Sequence, residues 1–226
     1  MREASNELSP RDGYAAWARS YDDDGNPLIA LEGPAMRDRF GPIRGRRVLD
    51  IGAGTGRHAL DLAGQGAHVV ALDPTPEMLA RARSKPGGSG VGWVRHALPA
   101  PLPFRNATFD LAVLGLVAEH IVDLAGALLE VARVLLPGGR CLISALHPDR
   151  TAEGQRARFI DPATGLRHPI ATIHRTLIDY RSAVPASFRP LDEQSLIVPP
   201  ELAETHPRAA RYVGLPLGWI GHWIKP

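Results

Sequence analysis

The first order visible along the chain is a change of period. Tyr14, Trp17 and Tyr21 recur at spacings of three and four, which places them on one face of a helix. Asp24-Gly25-Asn26-Pro27 reads as a turn, and a second helix is predicted over 28–40. From Arg47 the pattern becomes short apolar runs alternating with helical stretches. Strands are predicted at 47–51, 68–72, 92–95, 109–115 and 140–146, the second ending at Asp73. Helices are predicted at 56–63, 76–83 and 123–136. Thr75 caps the second, with Pro76 in its first turn. The third carries Leu124, Leu128, Val131 and Leu135 on one side, and Pro137-Gly138-Gly139 reads as a hard turn after it. Strands and helices in alternation imply crossover units and a parallel, doubly wound α/β sheet.

Beyond His147 the pattern loosens. A hairpin is expected around Asp161–Gly165, with arms 157–160 and 169–173, followed by a helix over 174–183. Late strands are expected at 191–198 and 215–224. The second follows a turn-rich linker and is expected to be antiparallel, at an edge or in a hairpin.

Composition narrows the class. Of 226 residues, 44% are hydrophobic and 22% charged, enough to bury one sizeable core. The net charge of +2 and the absence of a basic run interleaved with aromatics argue against nucleic acid as a partner. The lone cysteine, Cys141, excludes an internal disulfide and a cysteine metal cage. No histidine pair shows a metal-ligand spacing with a carboxylate, so no metal is expected. No apolar stretch approaches membrane length, and the expectation is a soluble, cytoplasmic protein without a membrane partner.

The chemistry concentrates in Val48-Leu49-Asp50-Ile51-Gly52-Ala53-Gly54-Thr55-Gly56. A strand that runs into closely spaced glycines and then a helix lets a ligand approach the backbone, and the helix turns its free N–H groups towards it. A dinucleotide fingerprint requires a third glycine where Arg57 stands, so a pyrophosphate is disfavoured. Asp73 follows by about 20 residues at a strand's carboxyl end, where an acid can accept bonds from ribose hydroxyls.

This segment resembles motif I of the class I S-adenosylmethionine (SAM)-dependent methyltransferases, and Asp73 stands where their ribose-binding acid stands. The similarity continues through Pro101-Leu102-Pro103-Phe104, Phe109-Asp110-Leu111 and Pro137-Gly138-Gly139, spanning about residues 10–148. The resemblance implies a Rossmann-like, seven-stranded, mostly parallel sheet with an antiparallel last strand. It implies an N-terminal helical cap over 1–40 and a SAM-binding domain over 41–226, with an acceptor-pocket insertion at about 148–185. Asp50, Gly52, Ala53 and Gly54 would surround the methionine part. Asp73, Thr75 and Met78 would hold the ribose and adenine. One departure stands out: many members place an Asp after the third strand to bond adenine, and here the stretch reads Arg95-His96-Ala97-Leu98. Adenine would then rest on backbone at Ala97 and on Leu98 or Met78.

SAM brings its own reactive methyl, so the catalytic signature is faint. Alignment supplies much of the rate, and a base is needed only for a protonated nucleophile. His147, after the fifth strand, is the candidate base and acceptor contact; the alternative is a strand-end cap. His120, after the fourth strand, is a cofactor or catalytic candidate near the sulfonium and the methyl; the alternative is a helix-start residue. His174 is a candidate acceptor contact, while His58 and His68 read as structural. Tyr14 and Tyr21 are assigned to the site, Tyr14 to the acceptor and Tyr21 to the cofactor, with Trp17 in the core. Phe159, Ile170, Ile173 and Tyr180 are expected to line the acceptor pocket, and Asp22-Asp23-Asp24 reads as a solvated turn. The expected activity is O-methylation of a small molecule of secondary metabolism or biosynthesis, leaving S-adenosyl-L-homocysteine (SAH). C-methylation of an activated or quinone-type ring is the nearest alternative. An NAD(P)-dependent oxidoreductase, which lacks support from any Tyr-x-x-x-Lys pair, and a non-enzymatic SAM-binding protein rank below it.

Overall fold

The computed structural model describes residues 7–226; residues 1–6 of the expected cap lie outside the described residues. The main sheet has seven strands: β1 (Arg47–Ile51), β2 (His68–Asp73), β3 (Gly92–Arg95), β4 (Phe109–Gly115), β5 (Leu135–Leu146), β8 (Arg189–Ile197) and β9 (Pro216–Ile224). Their spatial order is β3-β2-β1-β4-β5-β9-β8. The first five are parallel, and β9 runs antiparallel to both β5 and β8. A separate hairpin pairs β6 (Arg158–Ile160) with β7 (Arg167–Pro169).

The central strands are apolar because both faces are covered. On one face α2 (Pro27–Phe40) and α3 (Arg57–Gly64) press Met36, Phe40, Ala59 and Leu62 onto Val48, Val69, Leu142 and Ile220. On the other, α5 (Leu124–Val134) and α7 (Leu177–Ala183) bring Leu128, Val131 and Tyr180 against Leu49, Leu114, Ile143 and Trp219. The helix starts follow local chemistry. Asp123 accepts the Gly126 N–H at the head of α5, and Thr176 with Asp179 forms a capping box on α7. Thr75 occupies the cap position of α4 (Pro76–Ser84), but its side chain bonds no helix N–H.

Three expectations change. The last strand is not at an edge: β9 is inserted between β5 and β8, with Trp219 and Ile220 fully buried. The edge falls to β8, whose residues 189–194 are exposed and include Arg189, Asp192 and Glu193, charges that discourage further pairing. Pro137-Gly138-Gly139 lies within β5, where the register jumps from Leu135 opposite Phe109 to Arg140 opposite Leu111. The linker before β9 folds into α8 (Pro200–Thr205) and a 3₁₀ turn, Pro207–Tyr212. At the other end, α1 (Pro10–Trp17) is followed by a 3₁₀ turn at Tyr21–Asp23, and α6 (Pro148–Ala152) follows β5. No helix among the described residues is long and apolar enough to cross a membrane.

Candidate functional site

The carboxyl ends of β1, β2 and β4 open a crevice of about 730 Å³, counted out to open solvent. Its floor is the glycine loop. Gly52 and Ala53 donate their N–H groups to the Leu72 carbonyl at 2.8 and 2.9 Å, which ties the loop to the end of β2. Gly52 has φ +72°, and a Cβ there would stand 2.4 Å from Val117 Cγ2. Gly54 has φ +56° with nothing within 4 Å of a would-be Cβ, so its exposed face belongs to the crevice. Asp73 holds the loop from the side: one oxygen accepts the Gly54 N–H and the other the Thr75 N–H, both at 2.8 Å.

Two carboxylates give the crevice its character. Burial pushes Asp50 up to about 6, although His58 and Arg57 stand nearby. Its Oδ2 is buried with no hydrogen-bond partner. Such an atom is costly to leave unmade and matches a cationic donor such as an α-amine. Asp73 is also raised by burial, against the pull of the Thr75 and Gly54 N–H groups. Each of its oxygens keeps acceptor capacity beyond the backbone bond it makes.

The N-terminal segment closes one side. Tyr14 and Tyr21 both face the crevice, and the Tyr14 hydroxyl lies 3.0 Å from His120 Nε2. His120 Nδ1 lies 2.9 Å from the Ala171 carbonyl, which can only accept. In the neutral imidazole Nδ1 therefore carries the proton, and Nε2 accepts from Tyr14. Asp22, expected to be solvated, instead takes bonds from Thr55 Oγ1 (2.7 Å) and Lys85 Nζ (2.9 Å), so the 3₁₀ turn is latched to the glycine loop. Beneath it, fully buried Glu32 of α2 accepts from Arg57 and from Ser144 Oγ (2.6 Å) and lies 3.1 Å from His58 Nε2. Despite burial, His58 and Arg57 hold Glu32 down to about 2. Arg57, which replaces the third glycine of a dinucleotide loop, is thus an anchor for α2.

A second crevice of about 770 Å³ adjoins the first, and Tyr14, Tyr21 and Leu116 line both. Its walls also include Trp17, stacked on Tyr14 at 5.8 Å, and Tyr212. At its inner end is Glu119, buried, with Oε2 unpartnered. Burial raises this carboxyl, against the charges of His120 and Arg175. Its outer end is basic, with Arg156, Arg158, Arg208 and Arg211.

The first crevice gathers Tyr14, Tyr21, Asp50, Gly52, Ala53, Gly54, Asp73, Thr75, Met78 and His120. Four expected residues lie elsewhere. His147 lines neither crevice: its Nδ1 accepts the Asp149 N–H at the head of α6, and its Nε2 lies 3.0 Å from Ser195 Oγ. The lone pair a base would use is thus occupied by backbone. His174 Nδ1 lies 2.6 Å from Thr151 Oγ1, outside both crevices. Ala97 is exposed, and Leu98 packs on the main core cluster; neither lines a crevice, where Pro10 and Arg11 of α1 contribute instead. The expected acceptor-pocket residues are core. Phe159 and Ile170 pack with Trp17, and Tyr180 stacks on Trp219 at 5.0 Å. Ile173 is half-buried, its N–H donated to the Glu119 carbonyl. Among residues missed in the sequence, Glu119 had one signal, its place beside His120 after β4. The arginines and Tyr212 had none, since neither the expected hairpin arm at 157–160 nor the turn-rich linker before β9 says what its side chains will face.

Residues 49–143 match a family model described as a methyltransferase domain. Over 102 residues the chain is 39% identical to a demethylmenaquinone methyltransferase of Clavibacter sepedonicus, covering 45% of this chain and 42% of that protein. Over 146 residues it is 34% identical to a ubiquinone biosynthesis O-methyltransferase of Xylella fastidiosa, covering 62% and 59%. The chain thus spans about half the length of the curated relatives it matches. Its fold is similar to that of an S-adenosylmethionine-dependent methyltransferase from Mesorhizobium loti, with a TM-score of 0.73 and 24% identity over 88% of this chain and 100% of that one. Residues 49–143 thus match a methyltransferase domain, and the glycine loop, Asp73 and the reversed β9 are all in place in a fold similar to that of SAM-dependent methyltransferases.

Proposed function

We propose that this chain transfers a methyl group from SAM to a small-molecule acceptor, with a hydroxyl oxygen as the nucleophile. The observation that carries this reading is the meeting of two crevices at a common wall of Tyr14, Tyr21 and Leu116. Group transfer needs donor and acceptor in separate sites that touch at one point, and fixing that contact can supply much of the rate.

The donor crevice fits SAM. Asp50 Oδ2 lacks a partner and suits the amine, Asp73 retains acceptor capacity for ribose hydroxyls, and Met78 with Thr75 offers a wall for adenine. When bound, SAM supplies an electrophilic methyl on a sulfonium. The ring faces of Tyr14 and Tyr21 favour positive charge beside them. Tyr14 also links the two crevices to a proton acceptor. Burial holds its phenol far above the usual range, so it stays protonated and relays a proton rather than keeping a charge. The relay ends at His120 Nε2, whose lone pair, freed for this by the bond from Nδ1–H to Ala171, already accepts from the Tyr14 hydroxyl. His120 takes the role of base that the sequence assigned first to His147.

Methylation of a ring carbon is the second reading, and the aromatic wall of Tyr14 and Trp17 favours it. The names of the two relatives, one for demethylmenaquinone and one for ubiquinone biosynthesis, are consistent with either nucleophile on a ring. The test is calorimetry with SAH and with NAD, followed by transfer of a ¹³C-methyl from SAM to a panel of phenols and quinols. SAH binding and a methyl resonance of the ether type are expected. A methyl on ring carbon replaces the first reading by the second, and NAD binding without SAH binding overturns both.

A further inference from the structure

The outer end of the second crevice holds more positive charge than its neighbours neutralise. Arg156 is paired with Glu7 at 2.7 Å, and Arg208 with the Asp24 carboxylate at 3.0 Å and carbonyl at 2.7 Å. Those two arginines tie the loop before β6 and the late 3₁₀ turn to the N-terminal segment. Arg158 and Arg211 also line the crevice, and among the described residues neither has a carboxylate partner. Neither hangs loose. Arg158 is half-buried at the start of β6. Arg211 lies over the Tyr212 ring, 4.6 Å from its centroid, and that ring is fixed by a 2.9 Å bond from its hydroxyl to Gln155 Oε1. Burial and the charges of Arg167, Arg211 and Arg208 all disfavour the cation at Arg158. A half-buried guanidinium facing other cations is an arrangement that an anion relieves. The planar fork of arginine matches carboxylate and phosphate oxygens two at a time.

The opposite end repels anions. Glu119 is buried there with one oxygen unpartnered, and Tyr14 stands beside it on the shared wall. The crevice is therefore polar in one direction, from an acid at the inner end to arginines at the mouth, with aromatic walls between.

We infer that the acceptor carries an anionic group, a carboxylate or a phosphate, that docks between Arg158 and Arg211 while its nucleophilic end reaches Tyr14 and Glu119. This rests on the reading of the second crevice as the acceptor site and adds its chemical class and its orientation. A neutral acceptor of the same shape loses the contact at the mouth. An acceptor entering the other way round meets Glu119 with its own negative charge.

The experiment uses the full chain saturated with SAH, with SAH affinity measured first so that a failed donor site is recognised separately. Benzoate, phenyl phosphate and benzyl alcohol are titrated by calorimetry at low and at high salt. At least one of the two anions is expected to bind tenfold or more tightly than benzyl alcohol, with an advantage that shrinks at high salt. Whichever binds more tightly identifies the group. The double variant Arg158→Gln/Arg211→Gln is expected to lose that advantage while keeping SAH affinity within twofold. Equal binding of all three probes, no binding of either anion, or an anion preference unchanged in a folded double variant each overturns the inference. The salt dependence of the unaltered chain serves as the test if the variant does not fold.

Discussion

The two crevices are similar in size and share a wall, yet they are built in opposite ways. The donor crevice is assembled chiefly from strand ends and the turns that follow them, with the N-terminal segment closing one side. Its floor, Asp50 to Gly54, is continuous in sequence, and its side anchor, Asp73, is 19 residues from the glycine it holds. The acceptor crevice draws on the loop before β6, the late 3₁₀ turn and the N-terminal helix. The pair that ties its rim, Arg208 and Asp24, spans 184 residues. The first site is therefore a property of the sheet, and the second is a property of how the ends of the chain fold over it. One consequence is that the sites should come apart under mutation, with donor affinity failing without the acceptor crevice and the reverse.

The largest effect that tests this separation is Asp73→Ala. It removes the acceptor of two backbone bonds at 2.8 Å and the group assigned to the ribose hydroxyls. Loss of two hydrogen bonds to a charged acceptor costs ~3 kcal/mol, about a hundredfold in SAH affinity. Asp73→Asn, which keeps one acceptor oxygen, should lose less. Binding of the preferred anion, benzoate or phenyl phosphate, at the other crevice should stay within a few-fold of its starting value. Calorimetry of both ligands on both variants decides. Unchanged SAH affinity removes Asp73 from the donor site, and equal losses for both ligands break the separation.

A smaller, pH-dependent effect belongs to Asp50. In the free protein burial raises its carboxyl to about 6, so it is protonated below that value. A cationic amine favours the ionised form and lowers the value in the complex. Binding must then expel a proton at low pH, and affinity falls as pH falls below about 6 and levels off above it. Between pH 7 and pH 5 the loss in SAH affinity should be about tenfold. Asp50→Asn should bind more weakly at pH 7 and show a flat profile across the same range. A flat profile in the unaltered chain would detach Asp50 from the amine.

The legible and illegible parts divide along the same line. Gly54 and Asp73 were readable because a tight turn at a strand end and an acid at the next strand end are local requirements of backbone geometry. The parallel core was readable because period and burial agree from β1 to β5. The position of β9 was not, since an apolar run at the end of a chain does not say which neighbour it will pair with. Asp22 looked like part of a solvated run because charge patterning carries no information about Thr55 and Lys85, which lie 33 and 63 residues away. Arg158 and Arg211 were illegible for the same reason: one sits in a short hairpin arm and the other in a linker 53 residues on, and only the fold sets them at one mouth. Ala97 shows a subtler limit. A family position was carried onto it, but the stretch after β3 leaves it exposed, away from the crevice.

The smallest expected effect concerns His147, where sequence and structure disagree about a single lone pair. An imidazole after a parallel strand can face a ligand or cap the next helix, and the same residues Leu146-His147-Pro148 serve both. Here Nδ1 accepts the Asp149 N–H, which leaves the ring proton on Nε2 to be donated to Ser195 Oγ of β8. The side chain therefore joins the head of α6 to the edge strand. His147→Ala should lower stability by about 1 kcal/mol, the usual cost of losing a helix cap. Methyl transfer should stay within about threefold, against the ~10²-fold loss expected for a general base. The sign of the pH effect distinguishes the roles further. Burial holds this imidazole below its ordinary value of ~6.5, so as pH falls through that value the unfolded chain takes up a proton before the folded one does. Stability contributed by neutral His147 is present above that range and lost on acidification, and the alanine variant should lack this component. Chemical denaturation at pH 7.5 and pH 5.5 measures it. A hundredfold loss of turnover with unchanged stability would return His147 to the chemistry and make the acceptor crevice reach further along β5 than its present walls do.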